Sequence, residues 1–238
     1  MVNSQLLLAI DTCGPTGSVA LGRYAGGSVE ILGQIELEGR SYSATLVAAV
    51  GDLLVRSGVK LENLAAIVTV NGPGSFTGVR VGISAVKGLA EAAYIPVVAV
   101  SRLEVLTAKA STSSAALDAH RHEVFLRLSE QGLAGQSLDA RELLASAAEL
   151  EALVLAGVPV GIQIAVCDEA AASLLASSWP AAELLHTFAP TAADALQLCA
   201  PRVSARHFVD LALLDGHYLR RSDAEIFGEP ANAAPQRL

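Results

Sequence analysis

With 238 residues, 52% hydrophobic and 17% charged, the chain can bury one large core or two small ones, and no apolar run reaches the length of a bilayer span. A formal net charge of −8 and an aromatic content of 4% argue against a surface that holds a nucleic-acid backbone or stacks bases unaided. Three scattered cysteines, Cys13, Cys167 and Cys199, form no C-x-x-C pair, which points to a reducing compartment and away from structural zinc; the start "MVNSQLLLAIDTC" lacks a basic region and does not read as a signal peptide.

The first elements are clear in order. "LLLAIDT" (Leu6–Thr12) is a short apolar strand ending in Asp11, "CGPTG" is a turn, and "GSVALGRY" (Gly17–Tyr24) alternates as a second strand. Val29–Glu38 alternates again. A helix is expected over Tyr42–Ser57, with Ser41 or Ser43 as N-cap and Gly58 as its stop. Leu64–Val70 reads as a buried strand, Gly78–Ala93 as a helix, Ile95–Ser101 as a buried strand, and "RLEVLTAKA" as the start of another helix. This pattern predicts a mixed sheet covered by helices. The second half opens alike: "SSAALDAHRHEVFLRLSE" (Ser113–Glu130) is strand, turn, strand, with Asp118 in the place of Asp11, a weak internal repeat. Leu138–Leu155 and Glu169–Ser178 are expected to be helical and "VPVGIQIAVCD" a strand between them. "SARHFVDLALLDG" is expected to be the last helix and "ANAAPQRL" a frayed tail.

The loop "NGPGSFTGVR" (Asn71–Arg80) has the look of a site. It matches neither the Walker loop, nor the dinucleotide fingerprint, nor the nucleophile elbow, because no Lys-Ser/Thr follows the glycines and the spacings are wrong. Two readings remain. Gly72, Gly74, Ser75, Thr77, Gly78 and Arg80, with Asp11 and Thr12 of the first turn, hold an anion at a helix N-terminus or face a partner. Alternatively the glycines and Pro73 only turn the chain and Thr77 caps the helix. The paired strand–Asp–turn–strand units suggest the actin and sugar-kinase architecture, in which two such turns clamp a nucleotide's phosphates and metal. The first turn has Gly14 and Gly17, but the second, "DAHRHEV", has no glycine. His120 and His122 would share one face of a strand, yet two histidines without a third ligand read more simply as an exposed basic strand end.

Two helices carry more apolar surface than one core needs. On the first, Leu46, Ala49, Val50 and Leu53 make a broad face, while Ala44, Ala48, Gly51 and Val55 make a second stripe of mostly small residues. On the second, Val79, Ile83, Val86 and Ala90 make the larger face and Val81, Ala85, Gly88 and Ala92 the small stripe. The larger faces are expected on the chain's own sheet. Either the two stripes pack on each other, or they meet helices of another chain in a four-helix contact.

"LLLAIDTCGPTGSVAL", "LAAIVTVNGPGSFTGVRVGISAVKGLAEAAYIPVVAVSRLEVL", "LDAHRHEVF" and "GHYLRR", in that order across nearly the whole chain, resemble the TsaB (YeaZ) family. The resemblance implies the α/β, two-lobed actin-like ATPase (ribonuclease H-like) fold, with residues 1–105 as one lobe and 106–238 as a smaller one, the last helix packing back on the first. It implies a cytoplasmic, non-catalytic subunit of the complex that forms N6-threonylcarbamoyladenosine at position 37 of ANN-decoding tRNAs. TsaD, its homologue, would carry catalysis, metal and substrate, and the small ATPase TsaE would join the pair. By the same resemblance this chain would bind no cofactor tightly, contact tRNA only through the complex, avoid membranes, and pair with itself when TsaD is absent; the first two helices are the expected interface. The alternatives are a self-sufficient enzyme of sugar-kinase type and a metallopeptidase, since older names for the family are glycoprotease-like. Two positions depart from the family pattern: Tyr42 precedes Ser43 where a histidine is common, and His120-Arg121-His122 stands where paired arginines are common.

Overall fold

The structure is a computed structural model and describes residues 4–129, 140–156 and 161–220. Its first lobe is a five-stranded sheet of β1 (Gln5–Asp11), β2 (Thr16–Ala25), β3 (Ser28–Glu38), β4 (Leu64–Val70) and β5 (Val97–Val100), in the order β3-β2-β1-β4-β5. The β1–β2 and β2–β3 pairs are antiparallel and the β1–β4 and β4–β5 pairs parallel. Helix α1 (Tyr42–Arg56) joins β3 to β4, and α2 (Phe76–Ala93) joins β4 to β5. As expected, α1 places Leu46, Ala49, Val50 and Leu53 in the core, and α2 places Val79, Ile83, Val86 and Ala90 there. Gly58, at φ +63°, is the left-handed residue that ends α1. The cap of α2 differs from expectation: Ser75, not Thr77, accepts the hydrogen bond from the Gly78 N–H, and the helix therefore begins two residues early.

The second sheet repeats the first. It contains β6 (Ser114–Asp118), β7 (Glu123–Leu128), β8 (Arg141–Ser146), β9 (Gln163–Val166) and β10 (Glu183–His186), in the order β10-β9-β6-β7-β8. Its pairs run antiparallel for β6–β7 and β7–β8 and parallel for β6–β9 and β9–β10, matching the first sheet strand for strand. The hint of an internal repeat therefore extends to a whole sheet. Helix α3 (Arg102–Ala110) lies between the sheets; its Leu103 and Leu106 pack with Ala115, Leu117, Phe125 and Ala165. Helices α4 (Ala147–Leu155) and α5 (Glu169–Ser178) cover the second sheet around Leu150, Leu175 and Trp179.

Three expectations about the second half need correction. The expected helix over Leu138–Leu155 is a strand followed by a helix. Residues 141–146 pair with β7, and Ser146 with Glu149 then forms a capping box that starts α4; residues 138–139 lie outside the described residues. The segment Ser204–Gly216 is not the last helix. That helix is α6 (Ala192–Ser204), started by a capping box of Thr191 and Asp194 and continuing one turn past Pro201. After it the chain is irregular, because Asp210 accepts the Ala212 N–H and Asp215 the Gly216 N–H, local bonds that compete with a helix. The expected "ANAAPQRL" tail lies outside the described residues. Finally, His120 and His122 are not on a strand: His120, Arg121 and His122 form the β6–β7 turn, all with φ between +54° and +60°.

Helix α6 returns to the first lobe. Gly22 on β2 would push a Cβ to 3.1 Å from Leu196 of α6, whereas Gly33 on β3 would push one to 2.8 Å from Leu53 of α1. Gly33 pairs with Leu21, the neighbour of Gly22, so α1 and α6 lie on opposite faces of the sheet.

Candidate functional site

The sequence-marked loop and the first turn meet backbone to backbone. Ser75 donates its N–H to the Cys13 carbonyl at 2.8 Å, and Thr12 Oγ1 donates to the Gly78 carbonyl at 2.7 Å. A Cβ on Gly74 would stand 2.2 Å from the Cys13 oxygen, one on Gly78 2.1 Å from the Thr12 oxygen, and one on Gly82 2.2 Å from Thr12 Oγ1. Gly72 takes φ +113° beside the cis Gly72–Pro73 peptide. These glycines allow close approach of the two segments, and the N–H groups of Ser75 and Gly78 bond within the chain. Of the sequence-predicted residues, Asp11, Thr12, Gly72 and Gly78 come together below the surface, with Gly74 half-buried beside them. Ser75, Thr77 and Arg80 are exposed.

The turn itself is filled. Asp11 closes β1, is 1% exposed, and accepts the Cys13 N–H at 2.8 Å on Oδ1. Its Oδ2 pairs with Nε of Arg102, the first residue of α3 and itself 5% exposed, at 3.4 Å. The Arg102 backbone N–H is held by the Gly72 carbonyl at 2.6 Å. Tyr42, at the start of α1, donates its hydroxyl to the Gly14 carbonyl at 2.8 Å. A Cβ on Gly14 would lie 2.3 Å from an Arg102 guanidinium nitrogen, and one on Gly17 2.8 Å from the Tyr42 ring. Burial works against the Arg102 charge, but Asp11 outweighs it and the guanidinium is held above its ordinary range. Burial, then the Asp11 charge, pushes the Cys13 thiol and the Tyr42 hydroxyl up, so both stay neutral.

A C-terminal strap ties this region to the second lobe. His217 donates its backbone N–H to the Asn71 carbonyl at 2.7 Å, and its Nε2 lies 2.8 Å from Glu142 Oε2. Glu142 also accepts from Ser101 Oγ at 2.7 Å and from Arg127 Nη1 at 2.6 Å. Tyr218 packs on Phe76 with ring centroids 5.2 Å apart, and the Arg80 guanidinium covers the same Phe76 ring at 3.8 Å. Arg220 forms an ion pair with Glu123 beside the β6–β7 turn. Sequence reasoning missed Tyr42, Arg102, Glu142 and the strap as parts of one cluster. They lie far apart in the chain, and no local spacing links them; the one signal was "GHYLRR", noticed only as part of a resemblance.

The small-residue stripes stand at the surface. Ala44, Ala48, Gly51, Val55, Gly88 and Ala92 are exposed, and Val81 and Ala85 are half-buried against the core of the first lobe. Val55 is 81% exposed, and a Cβ on Gly51 or Gly88 would meet nothing within 4 Å. Among the described residues no group of three or more His, Cys, Asp and Glu is placed to hold a metal ion, and no helix is long and apolar enough to cross a membrane.

A family profile described as "TsaD: tRNA N6-adenosine threonylcarbamoyltransferase" matches residues 35–213. The "tRNA threonylcarbamoyladenosine biosynthesis protein TsaB" of Escherichia coli is 38% identical over 125 residues, 50% of this chain and 52% of that protein. The protein of the same name from Haemophilus influenzae is 37% identical over 125 residues, 50% of this chain and 51% of that one. YeaZ from Pseudomonas aeruginosa superposes with a TM-score of 0.69 at 28% identity, covering 90% of this chain and 100% of that structure. The chain belongs to the TsaB (YeaZ) family. It spans about half the length of the curated TsaB relatives it matches. Its two mixed sheets with flanking helices are the two-lobed actin-like, ribonuclease H-like fold.

That fold implies a magnesium nucleotide held between the two turns, and these residues do not fit one. The Arg102 guanidinium lies against Gly14, where a phosphate would approach. The second turn presents His120, Arg121 and His122 in left-handed conformations in place of glycines.

Proposed function

We propose that this chain is the non-catalytic partner subunit of the complex that forms N6-threonylcarbamoyladenosine at position 37 of ANN-decoding tRNAs. It supports a catalytic TsaD subunit, with TsaE as the associated ATPase, and works in the cytoplasm. The observation that carries the reading is the α1–α2 surface of small, uncovered residues, together with the names of the TsaB relatives. A stripe of Ala44, Ala48, Gly51 and Val55 beside Val81, Ala85, Gly88 and Ala92 lets a second pair of helices approach closely, TsaD's helices in the complex and another copy's when this chain is alone. ATP and metal belong to the partner subunits in this reading, and the net charge of −8 leaves tRNA binding to them as well.

The test is reconstitution of the tRNA modification with and without this chain, alongside the variants Ala48→Arg and Ala85→Glu. Each variant should fold normally, lose co-elution with TsaD at a cost of about 2 kcal/mol or more of binding, and lower modification in step. If either variant binds TsaD at wild-type affinity, the stripes are not the interface; if modification is complete without the chain, the subunit reading falls.

A further inference from the structure

A groove of about 460 Å³ runs between α2 and the strap, with Arg80, Ser84 and Lys87 on the helix wall and Leu213, Asp215 and Tyr218 on the other. Both cations keep donors to spare. Among the described residues Arg80 commits only its Nε to a hydrogen bond, with the Tyr218 hydroxyl at 3.4 Å, and Lys87 makes only a 3.5 Å contact with the Ala212 carbonyl. Asp215 is turned to its own backbone, where Oδ1 takes the Gly216 N–H at 2.7 Å. The strap wall adds apolar surface that water reaches, since Leu213 is 80% exposed. Such a groove suits an occupant that carries both carboxylates and apolar side chains.

We infer that this occupant is the chain's own segment Glu225–Glu229, which reads Glu225-Ile226-Phe227-Gly228-Glu229 and lies outside the described residues. The strap delivers it to the place. The chain passes along the groove at Tyr218 and is held two residues later, where Arg220 pairs with Glu123. An extended chain covers at most about 3.5 Å per residue, so the five residues from Arg220 to Glu225 reach about 17 Å, enough to return past Tyr218. Glu225 and Glu229 then stand up to about 13 Å apart, which spans the rise of about 10 Å between Arg80 and Lys87 on their helix. One carboxylate meets each cation, and Ile226 and Phe227 cover Leu213. A small anion from solvent would satisfy the cations and leave Leu213 bare. Arg80, Ser84 and Lys87 are the sequence neighbours of Val81, Ala85 and Gly88, so the docked segment borders the small-residue stripe of α2. The inference concerns the free chain and stands whether or not TsaD is its partner.

The experiment places a reporter in the segment of the full chain with Phe227→Trp. The one native tryptophan, Trp179, is 1% exposed and gives a constant background. Acrylamide quenching is then compared in this background and with Lys87→Glu, Glu229→Lys and the two together. The introduced indole should be shielded in the parent protein. Each single charge reversal should raise its quenching constant about twofold or more, and the pair, which restores opposite charges, should return it toward the parent value. Glu229→Lys lies in the segment itself and tests the docking even if Lys87→Glu fails to fold. An indole as accessible in the parent as in a free peptide overturns the inference, as does a quenching constant that neither reversal changes. Shielding that grows with protein concentration also overturns it, because the groove would then be filled by a second copy.

Discussion

Gly78 is the third residue of α2, a place where alanine ordinarily improves a helix by about 1 kcal/mol. Here we expect the opposite sign. The added Cβ would lie 2.1 Å from the Thr12 carbonyl oxygen, against a comfortable carbon–oxygen separation of about 3.3 Å, so one backbone must retreat by roughly 1.2 Å. Neither side yields easily. Thr12 follows the buried Asp11, and the N-terminus of α2 is pinned through Ser75 to the Cys13 carbonyl. The retreat would break the buried Thr12–Gly78 hydrogen bond, at about 1–3 kcal/mol, and overpacking adds about 1–3 kcal/mol more. Setting the helical gain against these leaves a net loss of about 3 kcal/mol, or roughly 6–12 °C in melting temperature for a chain of this size. Urea unfolding followed by circular dichroism measures it, with Gly88→Ala as control. Gly88 is in the same helix with open space around it, and its substitution should stabilise the isolated chain by about 0.5–1 kcal/mol. If Gly78→Ala unfolds at the same midpoint as Gly88→Ala, the close-approach argument is wrong.

Gly88→Ala should weaken association with TsaD or with a second copy even as it stabilises the free chain, and unchanged binding in a pull-down would count against the stripe. Burial pushes the Glu142 carboxyl up, but hydrogen bonds from His217, Ser101 and Arg127 outweigh it and hold the group below the usual range. Its ionised form therefore stabilises the fold above about pH 4 and stops doing so as pH falls through the depressed value, so the gap in melting temperature between wild type and Glu142→Gln should close below pH 4; a gap constant from pH 7 to pH 3 refutes this. Burial raises the Cys13 thiol and pushes Cys199 up to about 12, so neither should react with a thiol reagent at pH 8 until the protein is unfolded; rapid native-state labelling of either contradicts the packing. A gel shift should find weak tRNA binding by this chain alone at physiological salt, and tight binding would contradict the electrostatic argument.

The first sheet was legible almost residue by residue, because its strands alternate or run apolar and its turns carry Gly14, Gly17, Gly26 and Gly27. The second was harder for identifiable reasons. "RELLAS" is made of good helix formers, and only pairing along β7 makes it a strand, a tertiary effect that local preference cannot contain. Helix α6 carries Pro201, and the apolar "HFVDLALLDG" after it imitates a helix without one face to bury: Leu213 is 80% exposed. The stripes on α1 and α2 were readable because helical period is a property of sequence. The filled turn was not. Asp11 meets Arg102 across 91 positions, and Thr12 meets Gly78 across 66. The strap's Tyr218 reaches Arg80 across 138.

The loop that looked like a phosphate site serves a different purpose on each side. Inward, Gly74 and Gly78 let α2 approach the Asp11–Cys13 turn more closely than a Cβ permits. Outward, Phe76 and Arg80 offer a ring and a guanidinium to Tyr218, so the strap closes over the loop and continues to Glu142 and Glu123 of the other sheet. One short segment thereby sets where α2 begins, how it meets the first turn and how the strap joins the lobes. The position of α2 in turn fixes Val81, Ala85, Gly88 and Ala92 relative to α1. If the outer faces of α1 and α2 are the docking surface proposed above, such packing would serve it, because two helices that meet a partner together must keep their spacing before it arrives. The same packing that fills the first turn thus sets the outer faces of α1 and α2 relative to one another, and on the proposed pairing, loosening the loop should disturb association before it disturbs either sheet.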